Sequence, residues 1–317
     1  MKTRSARHDG NLRHLHGSDP RRHHIMPGDS AGGALKPTRM RVRVDHDMLA
    51  CGPCDPDPRR HANLRSAFWK SEYELGGWRW TPHHDLKWPR TGRVALWTSS
   101  RLADRLFFWR AVDRLADREI ELWRVEARSA GSVVRGVGAM PPGGIRHSVA
   151  RARSMNTQDL AAARRAWRAF TSGDLEVVAR LVDRELRSAI LDSLPRRSDG
   201  HLRVSKRDEM LLRGFNSWRT PLDALKPHLS KLLVFGDLVI LTRLLRWTRM
   251  PNPTLTARNF AATISWKGPE LMLTPFGRRV LEELPSPADA PPLFMGGQEI
   301  YGPNTYAITG SGRIVRL

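Results

Sequence analysis

The stretch "RVALWTSSRLADRLFFWRAVDRLADREIELWRVE", residues Arg93 to Glu126, decides the fold class. "RVALW" (Arg93 to Trp97) reads as a strand, and "SSRLADRLFFWRAVDRLA" (Ser99 to Ala116) as an amphipathic helix. In that helix Leu102, Leu106, Trp109, Val112 and Leu115 recur on one face, the spacing of a stripe turned toward a core. "EIELWRVE" (Glu119 to Glu126) is a second strand. Strand, helix and strand with short joints form a parallel βαβ unit, whose crossover is expected to be right-handed.

Working toward the N-terminus, "HHIMPGDSAGGALKP" (His23 to Pro37) predicts a short strand ending near Met26 that runs into Gly28, Asp29 and Ser30. Asp29 or Ser30 then caps a short helix through Leu35, before Pro37 stops it. "MRVRVD" (Met40 to Asp45) alternates as a strand does, and "HANLRSAFWKSEYEL" (His61 to Leu75) suits a helix. "WRWTPHHDLKWPRTG" (Trp78 to Gly92) reads as loop. Residues 25–135 are thus expected to form a small α/β domain with a parallel sheet. Residues 1–24, with six Lys/Arg against two acids and almost no apolar period, are expected to be a disordered basic arm.

Toward the C-terminus the organisation changes. "GSVVRGVGAMPPGGIRHS" (Gly131 to Ser148) has no clear period, so 136–156 is read as a linker. Residues 157–195 are read as a helical connector broken at Gly173, with Trp167 and Phe170 packing on one face. Helices are then expected over Lys206–Phe215, from Thr220 to Leu233, and from Asp237 to Trp247. A hairpin follows over Asn259–Thr274 with Lys267-Gly268 at its turn, and Pro275 opens one more helix. Three helices and a hairpin are the order of a winged helix-turn-helix, so 196–317 is read as a helical, winged-helix-like C-terminal domain.

Composition narrows the function classes. At 40% hydrophobic and 27% charged the chain is globular, and no run approaches the 18 apolar residues of a membrane span. No secretory signal pattern is present, so a cytoplasmic location and no membrane partner are expected. The formal charge of +21 would attract phosphate backbones. Arginine outnumbers lysine 45 to 8 and is scattered through the chain, a bias that GC-rich coding also produces. Nucleic acid is one partner class on this reading, with Arg243, Arg246, Arg249 and Lys267 on the third helix and hairpin as its candidate contacts. A small phosphate-containing ligand is the other class; partner proteins and cofactors stay unnamed.

In a parallel sheet, sites gather beyond the carboxyl ends of the strands. Gly28, Asp29, Ser30, Asp47 and Ser99 all fall at such ends and are the ligand-binding candidates, with His83, His84 and Asp85 as cover from the long loop. Backbone amides near Ser30 suit an anion at a helix N-terminus. Gly28, Gly32 and Gly33 give G-x-x-x-G-G, which is neither a Walker loop nor a dinucleotide fingerprint, and the bland alternative is a tight corner with an N-cap. Ser30, His46 or His84, and Asp47 make a Ser-His-Asp set only on paper, since the G-x-S-x-G elbow is missing. His46, Asp47, His83 and His84 do not form a recognised metal-hydrolase motif. Cys51 and Cys54 form one C-x-x-C, open to a zinc reading with His46 and His61, to a redox reading, or to a plain turn with two thiols; no metal ligand is assigned.

Several segments together resemble one family. "GDSAGGAL", "VDHDMLACGP", "VALWTSSRLADRLFFWRAVDRL" and "IELWRVE" resemble the bacterial domain-of-unknown-function family numbered eighteen thirty-five. "AARRAWRAFTSGD", "LLRGFNSWRTPLDAL", "LTPFGRRVLEEL" and "LFMGGQEIYGPNTYAITGSGRIVRL" resemble its usual C-terminal partner region. Gly28, Asp29 and Ser30 match the opening turn, Asp47, Leu49, Gly52 and Pro53 a D-x-L-x-x-G-P turn, and Asp104 an acidic helix position. Cys51 stands where an acid is usual, and Ser99 and Arg101 stand where a histidine-acid pair is common. The resemblance implies architecture rather than an activity. The reading is of a binding or regulatory protein with nucleic-acid contact; the alternatives are an enzyme acting on a nucleotide or phosphate ligand in the first domain, and a protein-interaction module.

Overall fold

The computed structural model describes residues 23–35, 41–75, 87–127, 136–182, 184–229, 237–258, 264–302 and 306–316. The expected basic arm falls almost wholly outside these residues, as do His83, His84 and Asp85. In chain order the first elements are β1 (His23–Pro27), α1 (Gly28–Leu35), β2 (Arg41–Asp45), β3 (Gly52–Pro53), α2 (Pro58–Leu75) and β4 (Thr91–Thr98). Next come α3 (Leu102–Leu115), β5 (Glu119–Glu126), α4 (Pro142–Ala150), β6 (Arg153–Ser154), α5 (Thr157–Thr171), α6 (Leu175–Leu181) and α7 (Arg184–Leu191). They are followed by β7 (Arg196–Ser198), β8 (His201–Arg203), α8 (Lys206–Arg213), α9 (Pro221–Leu225) and α10 (Asp237–Arg249). Last are β9 (Leu255–Arg258), β10 (Glu270–Leu273), α11 (Pro275–Glu282), β11 (Leu293–Gly296), β12 (Gln298–Ile300), β13 (Tyr306–Thr309) and β14 (Ile314–Arg316). The chain is mixed α/β with a parallel-sheet core, and it divides into two compact units.

The first unit comprises Met1–Asp47 and His84–Arg164. Its sheet runs β2-β1-β4-β5-β6, with β2, β1, β4 and β5 parallel and β6 antiparallel at the edge. Register sorts the side chains onto two faces, because cross-strand partners point the same way. Met26, Ala95, Trp97 and Val125 share a cluster with Ala31 and Leu35 of α1 and with Val137, Met140 and Ile145. The opposite pleat carries Ile25, Leu96 and Arg124, and Arg124 lies over the Phe108 ring of α3 at 5.5 Å. Helices therefore cover both faces, as a parallel sheet needs.

The sequence reading and this unit differ at 136–156. A 3-10 turn at Val137–Ala139, then α4, then β6 occupy it, with Val137 and Ile145 almost wholly buried against the sheet. This segment is a cover rather than a linker. Pro142 sits in the first turn of α4, where its missing N–H costs nothing.

The second unit comprises Met48–His83 and Arg165–Leu317. The segment 48–75, expected inside the first domain, packs here. The His61 ring meets Trp167 at 5.6 Å, and buried Glu72 of α2 pairs with Arg246 of α10. Gly173 breaks the connector helices as expected, at φ 79, and Trp167 and Phe170 are buried. Three small sheets complete the unit: β12-β11-β3, β14-β13-β7-β8, and the hairpin β10-β9.

The C-terminal strands were not anticipated. The expected hairpin exists, but its first strand is Leu255–Arg258, earlier than read, and Ser265 bridges Gly268 at its tip. Thr274 caps α11, its hydroxyl accepting the Gly277 amide at 2.9 Å. Among the described residues no helix is long and apolar enough to cross a membrane.

Candidate ligand site at the carboxyl edge of the parallel sheet

Because β2, β1, β4 and β5 run the same way, their carboxyl ends share one edge. β1 sends its connection toward β2 and β4 sends its own toward β5, so the winding direction reverses between β1 and β4. Such a reversal leaves a crevice at the strand ends, with one helix departing on either side. Gly28 stands at its mouth. Its φ of 73 is a left-handed conformation that glycine adopts without strain, and it lets β1 turn directly into α1. A Cβ built at Gly28 would meet nothing within 4 Å, so the ground before the helix is open. The amides of Gly28, Asp29 and Ser30, the first three residues of α1, have no acceptor one turn back in the helix.

The strand ends bring the other candidates to this same edge. Ser99 follows β4 and is fully buried; its hydroxyl donates to Asp104 Oδ2 at 2.5 Å and accepts the Arg101 amide at 3.1 Å. The same carboxylate oxygen accepts the Val137 amide at 2.9 Å. Burial pushes the Asp104 carboxyl above its usual range, while the Ser99 and Val137 hydrogen bonds pull it back. Ser99 is thus committed to bracing the turn after β4 against the 3-10 turn.

Asp47, two residues past β2, is held by Arg110 of α3 at 2.9 Å, and its amide donates to Asp45 Oδ1 at 3.1 Å. Burial also raises Asp45, against the pull of the Arg110 guanidinium 3.4 Å away. These acids form a closed ion-pair group beside the crevice. Arg101 is the cation at the β4 end. Its side chain lies against Gly136, where a Cβ would fall 2.7 Å from Arg101 Cδ, and Val137–Ala139 next to it packs on α1. Sequence reasoning singled out neither Arg101 nor Gly136 as a site residue. The signal was there in the Gly-rich "GSVVRGVG", which was read as linker.

The four nucleic-acid candidates do not form one surface. Arg243 is 4% exposed and makes a two-pronged pair with Asp208, at 2.9 and 2.8 Å. Tyr301 donates to the same carboxylate at 2.8 Å, and burial pushes its phenol far up. The Arg243 guanidinium holds Asp208 below the ordinary carboxylate range despite full burial. Arg246 is engaged by Glu72, and Arg249 donates to the Leu75 carbonyl at 2.7 Å. Lys267 is exposed at the hairpin tip.

Cys51 and Cys54 are buried beside β3 and are not joined in a disulfide; Cys51 Sγ donates to the Met48 carbonyl at 3.4 Å, and His61 Nδ1 accepts the Asp55 amide at 3.3 Å. Among the described residues no group of three His, Cys, Asp or Glu side chains is gathered as for a metal ion. No protein family and no curated protein matches this chain.

Proposed function

We propose that the first unit binds a small phosphate-bearing molecule in the crevice between the ends of β1 and β4, and that the protein acts by binding rather than by chemistry of its own. The reversal of winding beside Gly28 carries this reading, because it sets the open N-terminus of α1 at the position where α/β sheets take their ligands. Partial positive charge at a helix start favours an anion, and Arg101, whose charge also acts on the buried Asp104, is the cation at the neighbouring strand end. Ser99 is bonded to Asp104, and Asp45 and Asp47 to Arg110, so they shape the crevice rather than supply a nucleophile or base. The resemblance to a family of unknown function names no reaction, so the ligand class rests on this geometry. Titration calorimetry of the full chain with adenosine monophosphate tests it. Saturable binding that weakens about tenfold in Arg101→Gln, the worth of one charged hydrogen bond, is expected; binding indifferent to that change sinks the proposal.

A second reading has its own observation. Arg219, between α8 and α9, makes a single antiparallel bridge to Leu271 of β10, at the place where a winged helix adds a strand to its hairpin. Arg258 of that hairpin lies 4.6 Å from the Trp218 ring, and Lys267 is exposed at its tip. This supports nucleic-acid contact through the wing, with α10 serving as core. Binding to duplex DNA that falls steeply with salt and is weakened in Lys267→Ala is the expected result; no binding at low salt removes it.

A further inference from the structure

The second unit contains a basic cavity of about 440 Å3 at the end of the β14-β13-β7-β8 sheet, within the range of about 300–1,000 Å3 that small-ligand sites occupy. Arg196, Arg197, Arg203 and Lys206 line it against one carboxylate, Asp192. Register makes this arrangement costly for the empty fold. Arg196 of β7 faces Arg203 of β8 directly across the antiparallel pair, so two guanidinium side chains leave the same face side by side. Like charges at that spacing destabilise a sheet.

Neighbouring acids relieve only part of the charge. Glu209 takes Arg196 at 2.7 Å, and Asp192 takes Lys206 at 3.6 Å. Arg197 and Arg203, both exposed, meet no carboxylate among the described residues. The charge left over on the pleat of Arg196 is that of Arg203, while Arg197 lines the cavity from the next position of β7, where the pleat alternates. Ile308 adds apolar surface, and at Gly310 and Gly312 on the β13–β14 turn a Cβ would meet nothing within 4 Å, so the backbone is open to a ligand.

From this charge balance we propose that the cavity is a second binding site, for a small molecule carrying a dianionic phosphate group. A phosphate monoester carries about −1.5 to −2 at pH 7, charge that Arg203 and the loosely held Lys206 at the same cavity can share. The planar guanidinium fork of Arg203 suits two phosphate oxygens at once. The site lies in a different unit from the crevice at Gly28 and does not rest on that proposal.

The test is calorimetry of the full chain with adenosine monophosphate, inorganic phosphate, adenosine and a short single-stranded oligonucleotide without terminal phosphates. An adenosine monophosphate isotherm with a component that Arg203→Gln weakens about tenfold and Arg101→Gln leaves unchanged supports the site. Inorganic phosphate competing for that component as tightly as the ester also supports it, and assigns the free anion as the ligand. Without ligand, Arg203→Gln is expected to unfold at the same temperature as the parent or higher, because it removes the like-charge pair. The proposal is overturned if Arg203→Gln and Arg203→Glu leave every component unchanged, if adenosine binds there as well as its monophosphate, or if the oligonucleotide binds there more tightly than the monophosphate does.

Discussion

At the residue scale, two buried aspartates carry opposite lessons. Asp208 is held below its ordinary range by Arg243, so its contribution to stability is complete above the unfolded value of 3.8 and is lost as pH falls below it. Asp208→Asn strips a buried guanidinium of its counter-charge and is expected to cost about 3–5 kcal/mol in urea unfolding at pH 7. A cost under about 1 kcal/mol would show that the pair does not hold the second unit together. Asp104 is raised, chiefly by burial, so its carboxyl favours folding most below 3.8 and that contribution fades as pH climbs through the folded value. Asp104→Asn keeps an acceptor for Val137 and Ser99 and is expected to cost little at pH 7. Asp104→Ala orphans both donors and is expected to cost about 2–4 kcal/mol. Equal losses in the two variants would contradict the assignment. The sequence displayed Arg243 as a cation on a basic helix; it could not display its burial, because Asp208 lies on another helix and the pairing is a tertiary event.

At the element scale, legibility followed the length and the locality of each element. β4, α3 and β5 were readable because each is eight residues or longer, and each repeats its apolar pattern within itself. β3 and β7 are two or three residues long and are held by distant partners, as when Gly52 pairs with Met295 and Arg196 with Ile308, and the three-residue β8 pairs only with β7 across Asp199-Gly200. No local period can announce such strands. α4 was missed because Gly143 and Gly144 dilute its pattern, although the burial of Ile145 and Val137 against the sheet stabilises it in place. The α1 glycines give a direct check. A Cβ at Gly32 would strike Val44 of β2, whereas one at Gly33 would meet nothing within 4 Å. Gly33→Ala is expected to stabilise by about 0.5–1 kcal/mol through helix propensity. Gly32→Ala is expected to destabilise by about 1–3 kcal/mol through overpacking. Thermal unfolding of the pair decides it, and the opposite order would mean that α1 does not pack on β2.

At the scale of the whole molecule, the candidate residues sorted by strand polarity rather than by charge. Gly28, Asp29, Ser30, Asp47 and Ser99 belong to one edge because parallel strands bring their ends together, a consequence that follows once the βαβ reading is accepted. The charge of +21 gave no comparable guide: it marks a surface, and three of the four arginines and lysines chosen from it are engaged within the fold. The crevice beside Gly28 is proposed to hold a phosphate group against the amides of α1. Amide-resolved nuclear magnetic resonance of the full chain, titrated with adenosine monophosphate, reads it directly. Saturable shifts at Gly28, Asp29, Ser30 and Ala31 are expected, with Arg101 moving along the same isotherm. Amides at Gly28 to Ala31 that stay fixed at saturating ligand, whatever else in the spectrum moves, would contradict it.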